Sequence, residues 1–165
     1  MPEAAKAVDR WREQTCDAKP SRGVPAHITI VFPFVPAREL DRRVIGSLAE
    51  LFGAVSRFEF ELRTIARFPA TLYLAPEPGS AFVRLTEAVV RRFPAYPPYE
   101  GAFDGAVPHL TVAQGDEDVM RAAEEDIRRS LPIRAVAREA LLLEEVEPDW
   151  SRWQVRSRLP FAALS

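Results

Sequence analysis

Between residues 3 and 15, apolar side chains recur at Ala4, Ala5, Val8 and Trp11, with Arg12 at the same spacing, and the period predicts a helix. Lys19-Pro20-Ser21-Arg22-Gly23 breaks it. From Val24 to Phe32, aliphatic residues alternate with polar ones after a proline, which predicts a half-buried strand. Leu40, Val44, Leu48, Leu51 and Phe52 form the stripe of a second helix ending near Gly53. Alternating Phe58, Phe60 and Leu62 predict a strand over about residues 57–67. A turn at Pro69 leads to another at Thr71 to Ala75, closed by Pro76, Pro78 and Gly79.

The second half repeats the scheme. Ser80 is the predicted cap of a third helix carrying Phe82, Leu85, Val89, Val90 and Phe93, and residues 94–105 form a Pro- and Gly-rich loop. Gly105 to Val112 is the next strand. Asp116 or Asp118 caps a fourth helix with Val119, Ala122, Ala123, Ile127 and Leu131. Ile133 to Glu147 reads as a long strand with room for a bend, and Ser151 to Phe161 as the closing one. One order of elements used twice predicts an internal duplication, approximately residues 1–82 and 83–165, in a single α+β domain. Its expected form is bilobal, with two antiparallel sheets flanking a central cleft and helices on the outside.

The repeat gains chemical meaning from its histidines. The chain has two, and His109 follows His27 by 82 positions (27 to 109) in the same setting: Pro, His, aliphatic, Thr, aliphatic. On a strand, His27 and Thr29 share one face while Ile28 and Ile30 take the other; His109 and Thr111 stand likewise against Leu110 and Val112. An imidazole beside a hydroxyl, supplied twice, suits acid-base chemistry on an oxyanion. The alternative is a pair of structural histidines satisfied by nearby backbone. Two histidines are too few for a usual closed zinc site, and no carboxylate or thiol stands at ligand spacing beside them, so no metal and no cofactor is expected.

Composition narrows the class. Apolar residues at 47% and charged residues at 28% are ordinary for a globular domain, and 165 residues bury a real core. No apolar run is long enough to span a bilayer and the start lacks a signal-peptide pattern; a single cysteine, Cys16, also fits a cytoplasmic location. The formal net charge of −2 comes from interspersed charges, so a small phosphorylated ligand or a strand end is favoured over a long duplex.

Gly23-Val24-Pro25-Ala26-His27-Ile28-Thr29-Ile30-Val31-Phe32-Pro33-Phe34 and Pro108-His109-Leu110-Thr111-Val112-Ala113 resemble the paired His-x-Thr motifs of the 2H phosphoesterase superfamily. More narrowly they resemble bacterial 2′-5′ RNA ligase and cyclic phosphodiesterase proteins. Tyr96-Pro97-Pro98-Tyr99 and Leu72-Tyr73-Leu74-Ala75-Pro76 extend the likeness over most of the chain. The resemblance implies metal-free phosphodiester chemistry, with His27 and His109 as the acid-base pair and Thr29 and Thr111 holding the phosphate. The substrate is then a 2′,3′-cyclic phosphate at an RNA end or on a nucleotide, with 2′-5′ RNA ligation as a possible second activity. A cyclic phosphate of ADP-ribose, a cyclic oligonucleotide, and a module that binds nucleotide or RNA ends without cleaving them are the alternatives. Phe34, Tyr99 and Phe103 flank the motifs as candidates to stack on a base, and Arg22 and Arg38 as candidates for a second phosphate; loop packing and ordinary solvation are the other readings. Trp11, Trp150 and Trp153 read as packing residues. Relatives commonly place an apolar strand before the first helix, and its lack here leaves both a monomer and a homodimer open.

Overall fold

The structure, a computed structural model, describes residues 1–16, 23–101, 107–146 and 152–163, with backbone alone at 99 and 100. Among the described residues four helices and six strands run in the order α1 (Pro2–Thr15), α2 (Arg42–Gly53), β1 (Phe58–Phe68), β2 (Thr71–Glu77), α3 (Ser80–Arg92), β3 (Leu110–Gln114), α4 (Glu117–Ile127), β4 (Ile133–Ala137), β5 (Glu139–Glu145) and β6 (Trp153–Pro160). Short 3-10 turns occupy Ala37–Glu39, Pro98–Gly101 and Arg128–Ser130. The fold is α+β, with two antiparallel sheets and helices around them, as the hydrophobic pattern predicts. One sheet has four strands in the order β3-β2-β1-β4 and the other pairs β5 with β6. The larger sheet draws strands from both halves of the chain.

Each sheet carries its own helices and its own core. Ala4 and Val8 of α1, and Met120, Ala123 and Ile127 of α4, pack with Leu62, Leu72, Leu74, Leu110 and Val112 of the larger sheet. Burying a leucine completely is worth about 1.5–3 kcal/mol, and Leu62, Leu72, Leu74 and Leu110 are all fully inside. Leu48 and Phe52 of α2 and Leu85 and Val89 of α3 pack with Leu142, Leu159 and Phe161. Ile30, Phe58 and Ala137 touch both cores and so sit at the junction of the two sheets.

Three expectations change. The long strand predicted from Ile133 breaks at Arg138: β4 pairs with β1, and β5 pairs with β6 in the other sheet. Sequence period does not register a change of sheet, because alternation continues through the bend. Ser80 is the first residue of α3, not its cap; Gly79 holds that place without a side-chain bond. The third change concerns Val24 to Phe32, which forms no ladder and runs as irregular chain across the junction. Ile28 and Ile30 still pack on the core, so the apolar alternation was a true signal of burial but not of strand pairing. Of the two candidate caps for α4, Asp116 is the one used, accepting from the Val119 amide at 3.0 Å.

Candidate active site

The second histidine segment is built by a strand. His109 immediately precedes β3, an edge strand held by β2 with Leu110 opposite Leu74 and Thr111 opposite Tyr73. The imidazole of His109 meets two rings of the β1–β2 hairpin edge-on, Phe68 at 5.1 Å and Tyr73 at 5.4 Å between centroids. Phe68 and Tyr73 stack on each other at 4.3 Å, so His109 rests on a stiff aromatic wall.

His27 reaches a related geometry without a strand. In both segments the ring nitrogen Nδ1 lies against the backbone carbonyl two residues back: Pro25 O at 2.8 Å from His27 and Val107 O at 2.7 Å from His109. A carbonyl oxygen only accepts, so each Nδ1 carries a hydrogen and each neutral ring presents Nε2 as its basic atom. In His27 that Nε2 stands 3.0 Å from Thr29 Oγ1 and accepts from the hydroxyl. A ring held at Nδ1 with Nε2 beside a hydroxyl is oriented for proton transfer.

The two histidines differ in their surroundings. Burial, chiefly, and then the positive charges of Arg12, the Met1 amino group and His109 lower the His27 imidazole from 6.5 to about 4, against the opposing pull of the Pro25 carbonyl. His27 is therefore neutral at neutral pH, and His109 is close enough for its charge to act on it.

This predicts an acid-sensitive fold. Between pH 6.5 and about 4 the unfolded chain takes up a proton at position 27 that the folded chain refuses. Stability therefore falls as pH drops through that window; the penalty is absent above it and full below it, at about 3 kcal/mol. Urea unfolding at pH 7.5, 5.5 and 4 should show that slope in the parent protein and a flatter one in His27→Gln. Equal slopes in the two proteins would contradict the burial-driven shift.

A cleft of about 1750 Å³ is lined by the segment that carries His27, by the start of α1 and by β4, β5 and β6. It is mostly apolar and larger than the space a single small ligand fills. His27, Thr29, Phe34 and Arg38 line it, together with Gln114 and Trp153. His109 and Thr111 stand outside that lining. The Phe34 ring is engaged edge-on by Phe93 at 5.3 Å and Tyr96 at 6.0 Å, and Arg38 is 80% exposed and paired with Glu39 at 3.0 Å. Tyr99 lies in the Pro98–Gly101 turn, while Arg22 and Phe103 fall outside the described residues.

Sequence reasoning passed over Phe68 and Tyr73, whose approach to His109 depends on strand register. It also passed over Arg12 and Thr86, the two buried polar side chains among the described residues. A signal for Arg12 existed, since it continues the buried row Ala4, Val8 on α1. Among the described residues no three His, Cys, Asp or Glu side chains gather as a metal site would need, and no helix is long and apolar enough to cross a membrane.

The chain belongs to the 2′-5′ RNA ligase superfamily, which it matches over residues 1–149. Solved structures of similar fold include TT0787 of Thermus thermophilus, 20% identical with a TM-score of 0.61 over 97% of this chain and 93% of that one. Escherichia coli LigT complexed with 3′-AMP is 14% identical, with a TM-score of 0.58 over 98% of this chain and 92% of that one. The same LigT complexed with ATP gives 15% and 0.57 over 98% and 93%. At these identities the likeness speaks for the fold. No curated protein sequence matches the chain.

Proposed function

We propose that the protein is a metal-independent phosphodiesterase that opens a 2′,3′-cyclic phosphate at an RNA end or on a nucleotide, with 2′-5′ ligation as the same opening by a ribose 5′-hydroxyl in place of water. The observation that carries this reading is the matched tethering of both Nδ1 atoms, which leaves two oriented Nε2 atoms in a chain of the 2′-5′ RNA ligase superfamily. The same tether in both segments also supports the duplication of residues 1–82 in 83–165. Neutral His27 takes a proton from water at Nε2 while the water oxygen attacks phosphorus. The bond from phosphorus to one ribose oxygen breaks, and His109 gives that oxygen a proton. With substrate bound, Thr29 turns its hydroxyl from His27 Nε2 to one non-bridging oxygen, which frees Nε2 for the water, and Thr111 donates to the other, where charge grows in the transition state. Exchange of one proton with solvent resets the pair.

The sources of binding are the mostly apolar cleft, for a nucleoside, and the two hydroxyls, for the phosphate. Phe34 and Arg38 line the cleft and serve there; Tyr99, Phe103 and Arg22 are assigned to base and phosphate contacts on their sequence position. Nucleotides as the ligand class agree with the ATP and 3′-AMP held by LigT.

The test is incubation with a 2′,3′-cyclic mononucleotide in the presence of EDTA, with the products separated by chromatography. Appearance of one nucleoside monophosphate is the expected outcome. Ligand recovered unchanged after long incubation would turn the reading toward a binding module, and loss of turnover with EDTA would end the metal-free mechanism. Turnover confined to ADP-ribose cyclic phosphate or a cyclic oligonucleotide in a parallel panel would keep the chemistry and replace the substrate.

A further inference from the structure

The segment from Val24 to Phe32 poses a question of restraint. Among the described residues it pairs with no strand, yet it must hold an imidazole to within about 0.5 Å for the chemistry proposed above. Its carbonyls show what replaces the ladder. Val24 O accepts from Arg12 Nη2 of α1 at 3.1 Å, and Ile30 O accepts from Thr86 Oγ1 of α3 at 2.9 Å. Between them Ala26 O accepts from the Met1 amino group at 2.7 Å, and Pro25 O from His27 itself. Among the described residues the buried polar side chains are Arg12, 5% exposed, and Thr86, 7% exposed, and both end on this one segment, one on each side of His27 and Thr29.

We propose that Arg12 and Thr86 are positioning residues that clamp the first histidine segment at its two ends and so fix the approach of His27 to the substrate. The proposal rests on the reading of His27 as a proton-transfer group. Two physical points favour it over simple packing. A buried guanidinium is expensive to keep out of water, and its ion pair among the described residues, with Asp9, is long at 3.9 Å and part-exposed. Its hydrogen bond to Val24 O is the specific return for that cost. Thr86 has a local partner in its own helix, Phe82 O at 3.3 Å, but makes the shorter bond across to Ile30 O. The contrast with the other segment is the second point: Leu110 to Gln114 is held by the β2 ladder, and no such pair of side chains is needed.

Arg12 also acts by its charge. The charged groups bearing on His27 are Arg12 from α1, the Met1 amino group and His109 from the second segment. Arg38, Arg138, Glu139, Glu144 and Glu145 line the cleft that His27 borders. Of these, Arg12 is the one whose side chain is both buried and bonded to the His27 segment.

The experiment compares Arg12→Met, Arg12→Lys, Thr86→Val and Thr86→Ser with His27→Ala and His109→Ala, in the full chain. It measures kcat and KM for a 2′,3′-cyclic mononucleotide across pH and the NMR titration of the two imidazoles, with thermal unfolding as a check on folding. Misplacing a reacting group by about 1 Å costs on the order of 100-fold. Arg12→Met should therefore lower kcat about 100-fold with KM within about 3-fold. It should also raise the His27 titration somewhat above about 4, burial, the chief cause of the displacement, being retained. Arg12→Lys keeps the charge, so His27 should titrate as before while kcat falls about 10-fold. Thr86→Val should lose about 10-fold in kcat and Thr86→Ser should regain it to within about 2-fold.

Folded Arg12→Met and Thr86→Val proteins with parent kcat would overturn the clamp, whatever the His27 titration does. If Arg12→Met fails to fold, Arg12→Lys and the Thr86 pair decide the question by the same measurements. An active His27→Ala protein would instead remove the catalytic reading beneath it, and the titration in Arg12→Met would still report whether Arg12 controls that ring.

Discussion

His27→Ala and His109→Ala are each expected to lower kcat for a 2′,3′-cyclic phosphate by about 1000-fold, the middle of the range for removing a general acid or base. That corresponds to about 4 kcal/mol of transition-state stabilisation. The double variant should lose little more than either single one, since two groups that act on one phosphorus as a unit are not additive. The pH profiles should differ as well. In the parent the acidic limb of kcat/KM should follow His27 and lie near pH 4, because protonation there removes the base. Thermal unfolding at pH 7.5 should show both variants folded: His27 sits on irregular chain outside the ladders, and His109 precedes its strand rather than filling the sheet's interior. The variants should still bind a nucleoside monophosphate, as the cleft and hydroxyls remain. If either variant turned over at the parent rate, the two-histidine mechanism would be wrong. If both lost binding along with turnover, the rings would be holding the ligand rather than moving protons.

The repeat was legible because it concerns rare residues in fixed company. Two histidines, each with a threonine two places on, stand out in any reading of this chain, and the alternation of Ile28 and Ile30 against them marks the buried side. Helix stripes were equally plain, since Leu48, Phe52, Leu85 and Val89 end up in one core at the spacing that announced them. What stayed hidden depends on partners distant in sequence. That Val24 to Phe32 runs without a ladder follows from which strands occupy the sheets, and the alternation of its own side chains carries no record of that. The Arg138 break between β4 and β5 is hidden for the same reason.

Arg12 is the instructive case. An arginine in line with Ala4 and Val8 on the inner face of α1 violates the helix pattern, and a violation of pattern is where a site residue is to be sought. The sequence alone offers no acceptor for it, because Val24 O becomes one only when the chain folds back. Thr86 is less visible still. A threonine among Phe82, Leu85 and Val89 passes as a small filler of the stripe, and only its bond to Ile30 O distinguishes it.

The backbone of the first segment has one more restraint, and its removal gives the second large effect. Gly23→Ala should destabilise the protein by about 3 kcal/mol and lower kcat with it. Gly23 adopts φ of +91°, where an L side chain adds about 1–3 kcal/mol of strain. A β-carbon there would also lie 2.3 Å from the carbonyl oxygen of Trp153, well inside contact distance. That oxygen is backbone at the start of β6, opposite Glu145 in the ladder, so it has no rotamer in which to retreat. The segment must move instead, and Val24 O, the acceptor of the Arg12 bond, is one residue away. At about 2–4 °C per kcal/mol for a chain of this size, the melting temperature should fall by about 10 °C. Gly46→Ala is the control: it sits on an exposed turn of α2 with open space around it, and should stabilise by about 0.5–1 kcal/mol. A Gly23→Ala protein that melts with the parent and keeps its kcat would mean that the Gly23–Trp153 contact restrains nothing. A protein that melts about 10 °C lower and loses turnover, while Gly46→Ala melts higher and keeps it, would place the rigidity of His27 in the packing of this loop against β6.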